Sequence, residues 1–332
     1  MKKVKLSICI PTYNFGEFIG EALESIIKQA GDEVEIVVGD GASTDNTEAV
    51  IRHYQADFPG LMYHNLGEKG GVDLDIAKTV GFAQGDYCWL MSADDVLKPG
   101  AIARVLAELQ FGHSVYLCNR TECDRNLKPF NCGKSWLADE VDDKVFHFSG
   151  KSEFIDFFNA SESIGALFSY ISSVIVDRNK WNEIGYDERF AGTNFAHVPR
   201  LFFILKDGKN NGLKYIKDSL VFCRGANDSF LNNGYVNRIL IDFDGYRRIG
   251  EEVFPDSDIR RAFNAVIKRE HKFYFLTRLK SEARDECEWD DILARLHYYR
   301  YGRGELFLIN LLGSSKRLVG FLRYIKKLLR SY

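Results

Sequence analysis

The chain has 332 residues, 45% of them hydrophobic and 27% charged, with a formal net charge of -3. That length supports one large or two small domains with an ample core, and the composition is that of a folded globular protein, not a disordered one. The slight acidity argues against a general nucleic-acid binder, and no uninterrupted run of about 18 apolar residues is present to span a membrane.

The apolar stretch in MKKVKLSICIP is too short for a signal peptide, and no small-residue cleavage site follows it. Seven scattered cysteines (Cys9, Cys88, Cys118, Cys123, Cys132, Cys223, Cys287) show no metal-type spacing, and reduced thiols in a cytoplasmic protein account for them. In chain order, Leu6 to Ile10 reads as a strand that breaks into Pro11, Thr12, Tyr13 and Asn14. Phe18, Ile19, Ala22, Leu23, Ile26 and Ile27 then recur at helical spacing up to Gly31. Glu35 to Val38 is a second strand, Gly39 to Ala42 a turn, and Asp45 with Glu48 predicts a capping box. Leu61 to Asn65 suits a third strand, and a helix follows the Gly67 to Gly71 loop as far as Gly85. The apolar run Tyr87 to Met91 predicts a fourth strand, and Pro99 opens the next helix.

This alternation of strands and helices over short loops predicts an α/β fold with a mostly parallel, doubly wound sheet. Beyond Val115 to Cys118 the pattern weakens into a mixed subdomain, with strands expected at Tyr170 to Asp177 and Leu213 to Cys223. From about Tyr235 no strand is expected; the segment 257 to 285 reads as a solvent-facing helical pair. Leu306 to Tyr332 reads as a basic amphipathic helix, suited either to an anionic membrane interface or to docking on the body or on a second copy of the chain. The expected divisions are 1-118, 119-230 and 231-332.

Loops after the predicted parallel strands fall along one edge, where such sheets bind ligands. They carry Pro11 to Asn14 with Glu17, then Asp40-Gly41, then Glu68 to Asp75, then Asp94-Asp95. Adjacent carboxylates at a strand end suit a hard divalent ion, or else cap the following helix. Neither GxGxxG nor GxxxxGK[ST] is present, so dinucleotide and P-loop binding are unsupported.

Three motifs in order, SICIPTYN, IVVGDGASTDNT and LMSADD, resemble the signature of inverting glycosyltransferases of family 2, which have the GT-A (Rossmann-like) fold. The resemblance covers about the first 120 residues and is most similar to bacterial O-antigen abequosyltransferase-like enzymes. It implies a mostly parallel sheet flanked by helices: a nucleotide-sugar-binding half (1-118), a mixed acceptor-binding half (119-230) and a helical C-terminal region (231-332). It also implies Mg2+ or Mn2+ as cofactor, a nucleotide-sugar donor, and transfer of a sugar, deoxyhexoses included, to a lipid-linked glycan in surface polysaccharide synthesis. The expected location is cytoplasmic, peripheral on the inner membrane, with a homo-oligomer as an option.

Carried over, Pro11, Thr12, Tyr13 and Glu17 would line the nucleotide pocket, Asp40 would bind the base and Gly41 would be donor-binding beside it. Ser92, Ala93 and Asp94 correspond to the metal-binding triplet, with Asp94 on the metal and Asp95 beside it, counted with the catalytic residues. Ser92 stands where the family usually has its first carboxylate, so a hard ion there would keep more water or use Asp95. GGVDLDIAKTV departs from the usual helix start; its Asp73 and Asp75 would touch the donor sugar or ribose, or serve as helix N-terminal carboxylates. The usual Glu-Asp pair that supplies the base is absent from 186-197, where His197 is the candidate base, with Asp187 and Glu188 in reserve. A pyrophosphorylase is disfavoured, since no basic Gly-rich loop follows Ile10. The remaining alternative is a non-catalytic sugar-nucleotide-binding or scaffold protein of a glycan assembly complex.

Overall fold

The computed structural model describes residues 3–130, 135–206, 212–227 and 234–320. The chain forms two compact units, Met1–Asn227 and Asp228–Tyr332.

The first unit begins with β1 (Leu6–Thr12), α1 (Ile19–Ile27), β2 (Val34–Asp40), α2 (Thr47–Asp57), β3 (Leu61–Asn65), α3 (Val72–Gly81) and β4 (Tyr87–Leu90). It continues with β5 (Val96–Leu97), α4 (Ala101–Leu109), β6 (Val115–Glu122), β7 (Lys144–His147), α5 (Lys151–Ala160), β8 (Val174–Asp177), α6 (Arg178–Ile184), α7 (His197–Lys206) and β9 (Gly212–Cys223). All nine strands make one sheet in the order β3-β2-β1-β4-β8-β6-β9-β5, with β7 also on β9. The first four are parallel; β8 enters antiparallel between β4 and β6, and β6 and β9 are again parallel. As a result β1, β2, β4, β6 and β9 all end at the same edge.

Apolar residues on both faces of β1 and β2 explain why this sheet is covered on both sides. Leu6, Ile8, Ile10, Ile36 and Val38 share a core with Ile19, Leu23 and Ile26 of α1 and Ile102 and Val105 of α4. On the opposite face α3 comes very close to β2: a methyl group on Gly39 would lie 2.1 Å from Thr79 Oγ1. A bulge at Asn119 bends β6 against β9, and the Asn119 amide fills it by donating to the Lys217 carbonyl (2.8 Å) and the Tyr215 hydroxyl (2.7 Å).

Several local expectations change. The strand expected from Tyr170 starts only at Val174, because 171–173 form a 3-10 turn. No capping box forms at α2: Glu48 pairs with Arg52, while Asp45 accepts from the amides of Thr47 and Gly16. Six of the seven cysteines are free thiols, and Cys132 lies outside the described residues.

The second unit is helical: α8 (Tyr235–Val253), α9 (Ser257–Glu270), α10 (Phe273–Glu282), α11 (Glu286–Tyr298) and α12 (Arg303–Gly313). Its apolar positions at three- and four-residue spacing meet in a core that includes Phe243, Tyr246, Phe263, Val266, Leu276 and Trp289. The expected pair over 257–285 is therefore part of a larger packed set. Inside it, Asp242 is buried between Arg238 (2.7 Å) and His271 (3.3 Å). The helix expected from Leu306 is interrupted at Ser314 and Ser315, and its basic end, 321–332, lies outside the described residues.

Candidate active site

Register builds the site. Thr12 at the end of β1 lies opposite Asp40 at the end of β2, and Cys9 opposite Leu90 carries β4 to the same edge. There the polar residues that follow each apolar strand gather in three groups.

The first group surrounds Asp40. Its buried carboxylate accepts from the Ser43 amide (2.9 Å), the Ser43 hydroxyl (2.6 Å) and the Tyr63 hydroxyl (2.9 Å). Burial, and then Asp40, push the Tyr63 phenol well above its usual range. The Gly41 amide donates to the Thr12 carbonyl, and a methyl group on Gly41 would lie 3.1 Å from Asp75 Oδ2, so Thr12, Gly41 and Asp75 form one cluster. Burial also raises the pKa of Asp75, which accepts from the Gly70 amide at 3.1 Å. Pro11 is half-buried, and the buried Thr12 hydroxyl has no partner. Tyr13 lies under the Lys69 ammonium, 4.1 Å from the ring centre. Asn14 holds this loop in place: it has φ +57, and its side-chain oxygen accepts from the Thr44 amide at 2.7 Å.

The second group surrounds the acidic pair. Asp94 is half-buried and accepts from the Ser92 hydroxyl and the Asn227 amide, with Ala93 buried between Ser92 and Asp94. Asp95 is buried and accepts from the Tyr170 hydroxyl (2.5 Å), the Ser172 hydroxyl (2.6 Å) and the Arg224 amide (3.1 Å). Burial first, then the charge of Asp94, push its pKa up to about 7. Arg224, at the end of β9, also donates through its side chain to the Asp94 carbonyl (2.9 Å), the Arg125 carbonyl (2.6 Å) and Glu21. Glu17 is not in the Asp40 group: it is 63% exposed and paired with Arg125 at 2.7 Å.

Asp73, His197 and the turn before α7 make the third group. Asp73 accepts from the amides of Asn194 (2.9 Å) and Ala196 (2.8 Å), which places it at the start of α7. His197 is 4% exposed, and its Nε2 is 2.8 Å from the Phe168 carbonyl oxygen. An acceptor there puts the proton on Nε2 and leaves the lone pair on Nδ1, which has no partner. Burial lowers the pKa of the ring. Asp187 caps the 3-10 turn at 188–190 and pairs with Arg189.

No group of three or more His, Cys, Asp or Glu side chains suited to a metal is found among the described residues. The fit to a hard divalent ion therefore rests on Asp94, which is half-buried, since Asp95 is 2% exposed; an ion there would take the place of the Ser92 hydroxyl or the Asn227 amide on the carboxylate. One carboxylate suffices for Mg2+, which commonly binds through one or two carboxylates plus substrate phosphates and water. Tyr170, Ser172, Arg224, Asn227 and Tyr63 are not evident in the motifs. The one usable signal is Arg224-Gly225 directly after a predicted strand, where a polar residue reaches the ligand edge.

A family model described as glycosyl transferase family 2 matches residues 7–184. Abequosyltransferase RfbV of Salmonella typhimurium is 35% identical over 280 residues, 82% of this chain and 82% of its own length. The GalNAc(5)-diNAcBac-PP-undecaprenol beta-1,3-glucosyltransferase of Campylobacter jejuni is 28% identical over 184 residues, 55% of this chain and 56% of its own. Among solved structures, S. aureus TarS 1-349 with UDP-GlcNAc superposes with a TM-score of 0.64 at 18% identity, covering 89% of this chain and 80% of that one. The mannosyltransferase PcManGT of Pyrobaculum calidifontis, in complex with GDP-Man and Mn2+, gives 0.57 at 16% identity, covering 99% and 86%.

Proposed function

Because this chain belongs to glycosyl transferase family 2, has a GT-A fold and is a glycosyltransferase, we propose that it moves a sugar with inversion from a nucleotide-sugar donor to a lipid-linked glycan in O-antigen or related surface polysaccharide synthesis. The observation that carries this reading is the meeting of the Thr12–Asp40–Gly41 cluster with the Asp94 loop at one sheet edge. The first offers a buried carboxylate and an unpartnered hydroxyl to a nucleoside; the second offers a carboxylate beside the place for its diphosphate. The names of the relatives support the rest, since one is an abequosyltransferase and another acts on an undecaprenol-linked glycan. A deoxyhexose as the donor's sugar belongs to this proposal, and the first of these names supports it.

We assign 1-118 to donor binding and 119-230 to the acceptor, with Asp73 and Asp75 on the donor-sugar side. Asp94 would hold Mg2+ or Mn2+, and that ion when bound supplies positive charge to the leaving diphosphate. Asp95 positions the loop through Tyr170, Ser172 and Arg224. An acceptor hydroxyl attacks the anomeric carbon from the face opposite the diphosphate; the new C–O bond forms as the bond to phosphate oxygen breaks. Its proton goes to a base. Nδ1 of His197 has the free lone pair for that task. No helix of the described residues is long and apolar enough to cross a membrane. A peripheral place on the cytoplasmic membrane face agrees with the exposed Phe307, Leu308, Leu311 and Leu318.

Melting of the purified protein with nucleoside diphosphates and nucleotide sugars, with and without Mn2+, tests the reading. A ligand bound only by the native state raises Tm, by about 2.7 kcal/mol of added stability at a hundred times its Kd. A metal-dependent rise with one base is expected, lost in Asp94→Ala. No rise with any nucleotide in a folded protein overturns donor binding.

A further inference from the structure

A second concave site is lined by residues outside the three groups of the crevice. An open cavity of about 510 Å3 is lined by Ile184, Asp187, Arg189, Arg200, Phe203 and Lys206, from the end of α6, the turn after it and α7. None of these residues belongs to the donor groups described above. Three are cationic and one is acidic, and the acidic one is already engaged, with Asp187 accepting from Arg189 at 2.7 Å.

Arg200 carries the argument. It is 8% exposed, yet no carboxylate pairs with it among the described residues. Its Nε donates to the Trp181 carbonyl at 2.8 Å, Nη2 shares that same oxygen, and the guanidinium stacks on the Trp181 ring 4.0 Å from its centre. A guanidinium has five N–H donors, and one carbonyl oxygen leaves most of them unused. Burial pushes its pKa down to about 10, as expected for a cation removed from water without a counter-charge. Unpaired buried charge is costly, and an anion entering the cavity would offset that cost.

We propose that this cavity is a phosphate-binding site, in which Arg200 grips the phosphate of an organic phosphate ester with Lys206 and Arg189 beside it. The planar fork of Arg200 matches phosphate oxygens, and Lys206 adds a point charge. Ile184 and Phe203 give the remainder of the ester an apolar wall.

The test is calorimetric titration of the full chain in EDTA, which keeps the donor crevice metal-free, with inorganic phosphate and with geranyl phosphate as probes. One saturable site is expected, weakened about tenfold or more by Arg200→Lys or Lys206→Gln and unchanged in Asp94→Asn. Equal binding of the two probes identifies free phosphate as a sufficient ligand, and tighter binding of geranyl phosphate identifies the ester; either supports the site. If Arg200→Lys does not fold, Lys206→Gln, from a half-buried position, decides alone. Absence of saturable binding by the folded wild type, or an unchanged Kd in the cavity variants, overturns the proposal.

Discussion

At the scale of single residues, burial keeps the His197 ring neutral and gives its chemistry a sign. The neutral form is the one able to take a proton, so activity should fall as pH drops through a pKa lying below the usual imidazole value of about 6.5. His197→Asn should lower kcat about 100-fold or more and remove this acid limb from the rate profile. A loss of rate with the limb intact would show that the residue only positions α7. Among the residues that shape the crevice, Thr12, Asp40 and Asp94 were legible because each lies at or just beyond the end of an apolar strand. Tyr170, Ser172 and Arg224 were not, since they reach Asp95 from 75, 77 and 129 positions away. That contact depends on strand order, which short motifs do not encode. The departures from family pattern at Ser92 and His197 marked the places where local chemistry had to be read from geometry.

Elements show a similar division. The parallel half, β1 to β4, could be read because helix and strand periods alternate over short loops there. The strand β8 was expected within Tyr170 to Asp177, but its antiparallel entry between β4 and β6 could not be read, because periodicity marks a strand and not its neighbours. One loop prediction belongs at this scale. Asn14 combines a left-handed backbone with a side-chain bond to Thr44. Asn14→Gly removes the bond and also the Cβ that strains a left-handed backbone, whereas Asn14→Ala removes the bond and keeps that strain, about 1–3 kcal/mol, with no side-chain bond to offset it. The alanine variant should melt lower than the glycine variant, and both should raise KM for the donor, because the loop carries Thr12 and Tyr13. In the helical unit, burial alone would raise the Asp242 pKa, but the His271 bond and the Arg238 charge outweigh it and the pKa is lowered. A carboxylate with a depressed native pKa stabilises above its unfolded value, about 3.9, and loses that contribution as pH falls through the native one. Asp242→Asn should cost about 3–5 kcal/mol at pH 7 and narrow its gap from wild type in Tm below about pH 4.

For the molecule as a whole, the proposed membrane attachment would be a surface property and is testable without disturbing either core. Phe307 and Leu311 are 66% and 57% exposed, so Phe307→Glu with Leu311→Glu should leave Tm unchanged. Burying two such side chains is worth about 1.5–3 kcal/mol each, so co-sedimentation with anionic vesicles should weaken about tenfold or more. Equal binding of the double variant would remove this face from the membrane reading. The nine-stranded sheet also has an outer margin at β3, and its side chains are covered. Arg52 lies over the Tyr63 ring, Phe82 stacks on His64 at 3.8 Å, and the Gln55 amide occupies the Leu61 carbonyl. A strand so guarded makes a poor template for edge-to-edge growth between molecules. The enzyme can thus be concentrated without this margin of its sheet seeding aggregates.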